Sequence, residues 1–224
     1  MTSRIHAPAV PLLLILLSIL LGQACRSAGS QAAPSLVQPG APGGPTRDIT
    51  AAEAADLSHV RHTPADVRFM QGMISHHAQA LVMAALVPSR TGRDDMRALA
   101  LRIEISQGDE IEMMREWLEA RAAQVPGEHD HHAHGDSAMP GMLTAGEMRG
   151  LAAAKGDAFD RLFLQLMIKH HEGALVMVRE LFSSPRGGQE GSIFAFASDV
   201  EADQQMEIAR MRALLASTGK EPRP

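Results

Sequence analysis

Residues 69–83 read FMQGMISHHAQALVM, and residues 163–177 read FLQLMIKHHEGALVM, which is a second copy of the same segment. The two copies share ten identities in fifteen positions at a fixed offset of 94 residues. Each copy places a His-His pair three residues after a methionine. In each copy, residues that would lie on one face of a helix recur every three or four positions. This spacing is typical of an amphipathic α-helix. The stretch therefore predicts a duplicated helix that carries histidine and methionine together.

A second, fainter repeat follows each copy. Residues 103–118 (IEISQGDEIEMMREWL) align with residues 200–215 (VEADQQMEIARMRALL) at an offset of 97. A period near 95 residues is too long for a solenoid repeat. The two repeats together indicate a duplicated helical hairpin.

Helix start and stop signals extend this prediction to an all-α fold. Thr63-Pro64-Ala65-Asp66 supplies an N-cap hydroxyl, a proline at the first helical position and a carboxylate three residues on. Pro88 and Gly92 should bring the first helix to an end. Further helices are predicted over residues 93–123, 145–154, 157–182 and 190–217. We expect an antiparallel four-helix bundle with the shared stripes turned inward and essentially no sheet.

The N-terminus predicts export. Arg4 precedes an almost wholly apolar run over residues 12–21, and small residues lead to Cys25. We interpret residues 1–25 as a signal peptide of the lipoprotein type, which predicts a periplasmic or cell-envelope protein anchored by an acylated Cys25. The alternative is that Cys25 is incidental and that cleavage simply follows Ala24.

Composition divides the mature chain. Residues 26–59 are interpreted as a flexible tether rich in Pro, Gly and Ala, and residues 60–217 as the folded domain. Cys25 is the only cysteine of 224 residues, which leaves the domain without disulfides or thiolate ligands. The net charge of −5, the absence of Tyr and the single Trp give no case for nucleic-acid binding.

Helix geometry groups the candidate metal ligands. Met73 and His77 are spaced i, i+4 on one face, with His76 at its edge, and the second copy repeats this arrangement. The following helix of each hairpin should bring carboxylates and a thioether to the same layer. The candidates are Met73, His76, His77, Glu110 and Met114 in the first hairpin, and Met167, His170, His171, Glu207 and Met211 in the second.

This donor set favours a soft metal ion. Thioethers favour Cu(I) and Ag(I), and neutral imidazole also accommodates Cu(II), Zn and Ni. The sequence therefore predicts copper, in either oxidation state, and possible silver binding. Two alternatives remain open: the methionines are core filler, or the His pairs join Asp66, Asp160 and the glutamates in a structural polar network, with no cofactor. For Gln107 and Gln204 we expect a structural hydrogen-bonding role.

The connection between the hairpins, residues 128–142, is a second candidate. A His-rich tract can bind divalent metal without a fold. The alternative is a solvated linker of biased composition. The candidate ligands here are His129, His131, His132, His134, Met139 and Met142.

The pattern D-x-x-F-x-x-x-M-I-x-H-H-x-x-A-L-x-M spans residues 66–83 and again 160–177. Over residues 60–216 the chain resembles the bacterial DUF305 family. The resemblance implies a ferritin-like four-helix fold and, because some exported members are implicated in copper binding and resistance through Met and His, a similar role here. It adds Met83 and Met177 to the candidate ligands.

Three function classes follow. The first is an extracytoplasmic copper- or silver-binding protein that buffers metal or confers resistance. The second is a cell-envelope interaction module in which the His pairs are structural. The third, a di-metal carboxylate enzyme, needs Glu-x-x-His on long helices, and no long predicted helix carries it. We therefore expect no enzyme, with metal ions as partners, membrane attachment only through acylated Cys25, and unknown protein partners.

Overall fold

The computed structural model describes residues 36–38, 45–56, 60–127 and 139–217. Cys25 and the predicted signal peptide lie outside these ranges. The chain divides into two units, residues 1–57 and residues 58–224.

The N-terminal unit contains a short antiparallel ladder within the range predicted as a tether. Strands β1 (Leu36–Gln38) and β2 (Arg47–Ile49) pair with Leu36 opposite Ile49. Helix α1 (Ala51–Ala55) follows, with a capping box between Thr50 and Glu53. The ladder was not expected; β-branched side chains in both strands favour extended backbone. The predicted boundaries of the tether stay a prediction.

The first hairpin of the second unit begins where its capping signals place it. Helix α2 (Pro64–Ala84) starts with a capping box in which Thr63 and Asp66 exchange hydrogen bonds, with Pro64 at the first turn. The other Asp66 carboxylate oxygen accepts a hydrogen bond from the backbone N–H of Gly188 at 2.7 Å. Asp66 therefore caps α2 and ties its start to the second hairpin.

The other helix of this hairpin ends earlier than the sequence indicated. After the short helix α3 (Val87–Arg90), helix α4 runs over Asp94–Glu119 and does not reach the predicted residue 123. The backbone of Ala122 turns into the left-handed region (φ 51°), and the N–H of Ala123 donates to the carbonyl of Leu118. The helix therefore closes in a tight C-terminal turn before the Pro126-Gly127 breaker.

The second hairpin follows the predicted bounds closely. Helix α5 (Ala145–Ala153) begins at the Thr144–Glu147 capping box, and helices α6 (Gly156–Ser183) and α7 (Gly191–Ser217) follow it. Helix α2 packs on α4, α6 packs on α7, and the hairpins meet along α2 and α6. The all-α prediction is confirmed.

Two apolar clusters form the core of this unit. The Trp117 cluster contains Trp117 and the buried methionines Met70, Met73, Met114 and Met177. The Leu164 cluster contains Leu164 and the buried methionines Met83, Met96, Met167 and Met211. None of the helices in the described ranges combines the length and apolar character that a membrane span requires.

Candidate metal centre

Two histidines meet where the hairpins meet. The imidazole rings of His76 on α2 and His170 on α6 lie with their centroids 3.8 Å apart and their planes tilted by 35°. Both side chains are buried, with at most 1% of their surface exposed. The same position in each repeat thus contributes one ring to a shared pair.

The adjacent histidines each face a carboxylate on the other helix of their own hairpin. His77 Nε2 lies 2.5 Å from a Glu110 carboxylate oxygen, and His171 Nε2 lies 2.5 Å from one of Glu207. Both histidines are fully buried, and the glutamates are nearly so. The duplication therefore produces two equivalent His–Glu pairs.

The partners of the rings determine which ring nitrogen carries a proton. A carboxylate can only accept, so Nε2–H of His77 and Nε2–H of His171 donate. His76 Nε2 lies 3.0 Å from the carbonyl oxygen of Pro140 and donates in the same way. In all three rings Nδ1 is buried without a hydrogen-bond partner in the described part of the chain.

The central pair is held in its neutral form. Burial, reinforced by the neighbouring His77, lowers the pKa of His76 to about 3. Burial, followed by the effect of His76, lowers the pKa of His170 well below its usual value of 6.5. A neutral imidazole keeps a lone pair on one ring nitrogen, and this neutral form is the one that binds metal ions.

The methionine candidates of the bundle divide between the two core clusters in a crossed pattern. Met73 and Met114 of the first hairpin share the Trp117 cluster with Met177 of the second. Met167 and Met211 of the second hairpin share the Leu164 cluster with Met83 of the first. Each cluster therefore draws thioethers from both hairpins, as a twofold-related pair of sites would.

A strap formed by residues 139–143 lies along the α2–α6 seam. An ideal Cβ on Gly173 would stand 2.1 Å from the Pro140 carbonyl oxygen, and one on Gly141 would stand 2.8 Å from that of His170. The side-chain amide of Gln79 exchanges two hydrogen bonds with the backbone of Leu143, at 2.7 and 3.1 Å. Two glycines thus allow the strap to touch the helix beside the histidine pair.

Some candidates are not assembled here. Across the described residues, no three side chains of His, Cys, Asp or Glu converge as a shell for a metal ion. Met142 is half-buried on the strap. The predicted ligands of the tract lie outside the described residues: His129, His131, His132 and His134.

Sequence reasoning missed the strap and misjudged one glutamine. The mid-helical Gly173 and the Pro140-Gly141 pair were the available signals for the close backbone approach. Gln107 was expected to make structural hydrogen bonds, but neither of its buried amide atoms has a partner in the described ranges.

Comparison with known proteins defines the family. A domain of unknown function, DUF305, matches residues 66–215. No curated protein matches. A Streptomyces coelicolor DUF305 protein that is named as secreted is 32% identical, covers 71% of this chain and 98% of its own, and superposes with a TM-score of 0.61. A Deinococcus radiodurans DUF305 fragment is 31% identical, with coverages of 70% and 98% and a TM-score of 0.59.

A third solved relative carries metal. CopM in its Cu(I)-bound form is 25% identical, covers 69% of this chain and 98% of its own, and has a TM-score of 0.54. Structures of CopM with Cu(II) and with Ag also match. Because the family match covers most of the chain, the protein belongs to the DUF305 family.

Proposed function

We propose that the protein binds copper, and silver in its place, through the buried histidines and the methionines of the bundle. The four histidines are His76, His77, His170 and His171. The thioethers come from Met73, Met114 and Met177 on one side and from Met83, Met167 and Met211 on the other.

The observation that carries the proposal is the state of the imidazoles. Metal-ligating histidines typically donate one ring N–H to a carboxylate or a backbone carbonyl and present the other nitrogen to the metal. His77 and His171 have the carboxylate partner, and His76 has the carbonyl partner. Each leaves Nδ1 buried and unpartnered. A buried polar atom without a partner costs about 1–3 kcal/mol, which a bound ion would offset.

The donor set argues for a soft ion. No shell of three nitrogen or oxygen side-chain ligands is assembled among the described residues, whereas buried thioethers are abundant in both core clusters. Thioether and imidazole ligands suit Cu(I) and Ag(I). Glu110 and Glu207 would then orient His77 and His171 and would not themselves bind the ion.

The relatives support the same role. CopM is known in Cu(I)-, Cu(II)- and Ag-bound forms, and the Streptomyces coelicolor relative is named as secreted. With the predicted signal peptide, these relatives favour an exported protein that binds copper. That it buffers or sequesters the metal, and is not an enzyme, is part of our proposal. Attachment of the exported protein through an acylated Cys25 is part of this proposal.

A second candidate draws on the same contacts. The His77–Glu110 and His171–Glu207 pairs are already hydrogen-bonded without a metal ion. They could serve only to hold the helices of an interaction module in register. That reading leaves the Nδ1 atoms of His76, His77 and His171 without a reason to be buried and unpartnered.

The test is an anaerobic Cu(I) titration of the full chain under a competing chelator, paired with thermal unfolding. We expect a tight stoichiometric component that raises the Tm, because an ion bound only by the native state stabilises that state. Replacing all four bundle histidines with Asn should abolish this component. His62→Asn is the control, because His62 packs edge-on against Trp117 and lies outside the proposed site.

The result that would contradict the proposal is weak binding without a Tm shift in the unaltered protein. A folded quadruple variant, verified by circular dichroism, that retained the tight component would also contradict it. Binding would then belong to other residues, and the buried histidines would be structural.

A further inference from the structure

We propose that Met139 on the strap and Met177 on α6 form a surface entry site for Cu(I) or Ag(I), one helical turn from His76. The inference rests on the proposed function, because an entry site has meaning only if the bundle takes up a soft ion. It assigns Met139 to the bundle and separates it from the His-rich tract.

The two thioether side chains converge over Gly72. An ideal Cβ on Gly72 would stand 3.5 Å from Met139 Sδ and 3.3 Å from Met177 Cε. A Cβ at residue 72 would therefore contact both methionines, tightly at Met177 and at ordinary van der Waals distance at Met139. The same position of the second repeat holds Leu166, so this thioether pair has no counterpart there.

The pair lies at the surface. Met139 is half-buried, and Met177 keeps 8% of its surface exposed, whereas Met83 at the equivalent position is fully buried. Both line a cavity of about 270 Å³ that opens between α2 and α6, together with Phe69, Gly72 and Pro140. An ion can thus reach these sulfur atoms without crossing the core.

The pair also leads inward. Gly72 and His76 are four residues apart on α2 and lie on one face of the helix. Met139 adjoins Pro140, whose carbonyl accepts the hydrogen bond from His76. Met177 belongs to the Trp117 cluster, which holds Met73 and Met114. An ion bound to Met139 and Met177 would therefore lie next to the imidazole of His76 and to the further thioethers of the Trp117 cluster.

The chemistry of the cavity selects the ion. Two thioethers form a weak, soft donor pair that suits a monovalent soft ion and disfavours Mg²⁺, Ca²⁺ or Mn²⁺. The charged residues that line the cavity are Arg68 from α2 and Glu180 from α6, one of each sign. Selectivity should then come from sulfur and not from the local charge.

Trp117 allows loading of the bundle to be followed separately from the tract. It is the only tryptophan in the chain and packs in the same cluster as Met73, Met114 and Met177. The experiment mixes the full chain with Ag(I), and separately with chelated Cu(I), in a stopped-flow instrument and records Trp fluorescence. The variants are Met139→Leu and Met177→Leu, and Met113→Leu is the control because Met113 is exposed on α4.

We expect the unaltered protein and Met113→Leu to load at the same rate. Met139→Leu and Met177→Leu should load about tenfold more slowly, the effect of a change of roughly 1.4 kcal/mol in the barrier. Leucine keeps the volume and apolar character of methionine, so the fold should be retained, and circular dichroism checks this.

The experiment distinguishes failure of the proposed function from failure of the entry site. If the unaltered protein shows no saturable change with either ion, the proposed function fails. If it loads but Met139→Leu loads equally fast, only the entry site is wrong. Slowing in one of the two variants alone would overturn the pairing of the two sulfur atoms.

Discussion

At the scale of single residues, one hydrogen bond orients each of the rings of His77 and His171, the two histidines that face a glutamate. Each donates Nε2–H to a buried glutamate at 2.5 Å, which fixes both the tautomer and the orientation of the ring. Nδ1 of each ring is thereby left as the only ring nitrogen available to bind a metal ion. Glu110 and Glu207, predicted from the sequence as candidate ligands, would under the proposed function support the ligating histidines and would not bind the ion themselves.

Replacing these glutamates tests that supporting role. In the double variant Glu110→Gln, Glu207→Gln we expect Cu(I) affinity to fall by about 10–100-fold while stoichiometry is kept, because supporting partners of ligating histidines have effects of this size. Chelator competition measures the affinity. Glu112→Gln, an exposed neighbour on α4, should bind as the unaltered protein does. A complete loss of bound ions would show instead that the carboxylates are ligands.

The neutral histidine pair predicts acid sensitivity of the metal-free protein. Folded His76 has a pKa of about 3 and that of His170 is also lowered, whereas an unfolded histidine titrates near 6.5. Between these values the unfolded chain binds more protons, so stability falls as the pH falls below about 6.5. Each histidine contributes up to about 1.4 kcal/mol per pH unit.

Denaturant unfolding between pH 7 and pH 5 measures this dependence in a range where most carboxylates stay ionised. The free energy of unfolding should decrease steadily across it. Stability that is constant or increases toward pH 5 would mean that the central pair is not held neutral by burial.

At the scale of the elements, the strap and α6 depend on one close backbone contact. A Cβ at residue 173 would stand 2.1 Å from the Pro140 carbonyl oxygen, so Gly173→Ala must displace the strap and break the hydrogen bond from His76. We expect a loss of about 1–3 kcal/mol in the free energy of unfolding, the usual cost of overpacking. Denaturant unfolding provides the measurement.

Gly108 supplies the matched control for this change. It lies within α4, and a Cβ there would meet nothing within 4 Å. Gly108→Ala should therefore stabilise the protein by up to about 1 kcal/mol through helix propensity alone. If Gly173→Ala behaved in the same way as Gly108→Ala, the contact between strap and helix would not exist in solution.

The elements also show how far the sequence could predict the fold. Helix starts at Thr63 and Thr144 follow from local capping patterns, which need no tertiary information. The end of α4 was misplaced because the left-handed backbone at Ala122 has no glycine to signal it. The strap was missed because Gly173 and the Pro140-Gly141 pair signal a close backbone approach only separately, and no local pattern shows that Gly141 and Gly173 meet in space.

At the scale of the whole molecule, each of the two core clusters contains methionines from both hairpins. Met177 joins the cluster of Met73, and Met83 joins that of Met167, while His76 and His170 meet between them. The repeat predicted which residue types would share a face. It could not predict that the clusters exchange methionines, because that depends on how α2 and α6 pack. An ion bound there would therefore bridge the two hairpins.

The most direct test of the central claim reads the imidazole nitrogens themselves. Long-range proton–nitrogen correlation spectra of the ¹⁵N-labelled full chain would be recorded while Ag(I) is added under a competing chelator. We expect the Nδ1 resonances of the bundle histidines to shift to a stoichiometric end point while Nε2 of His77 and His171 keeps its proton. It would be contradicted if the bundle resonances stayed unchanged and only histidines elsewhere in the chain responded.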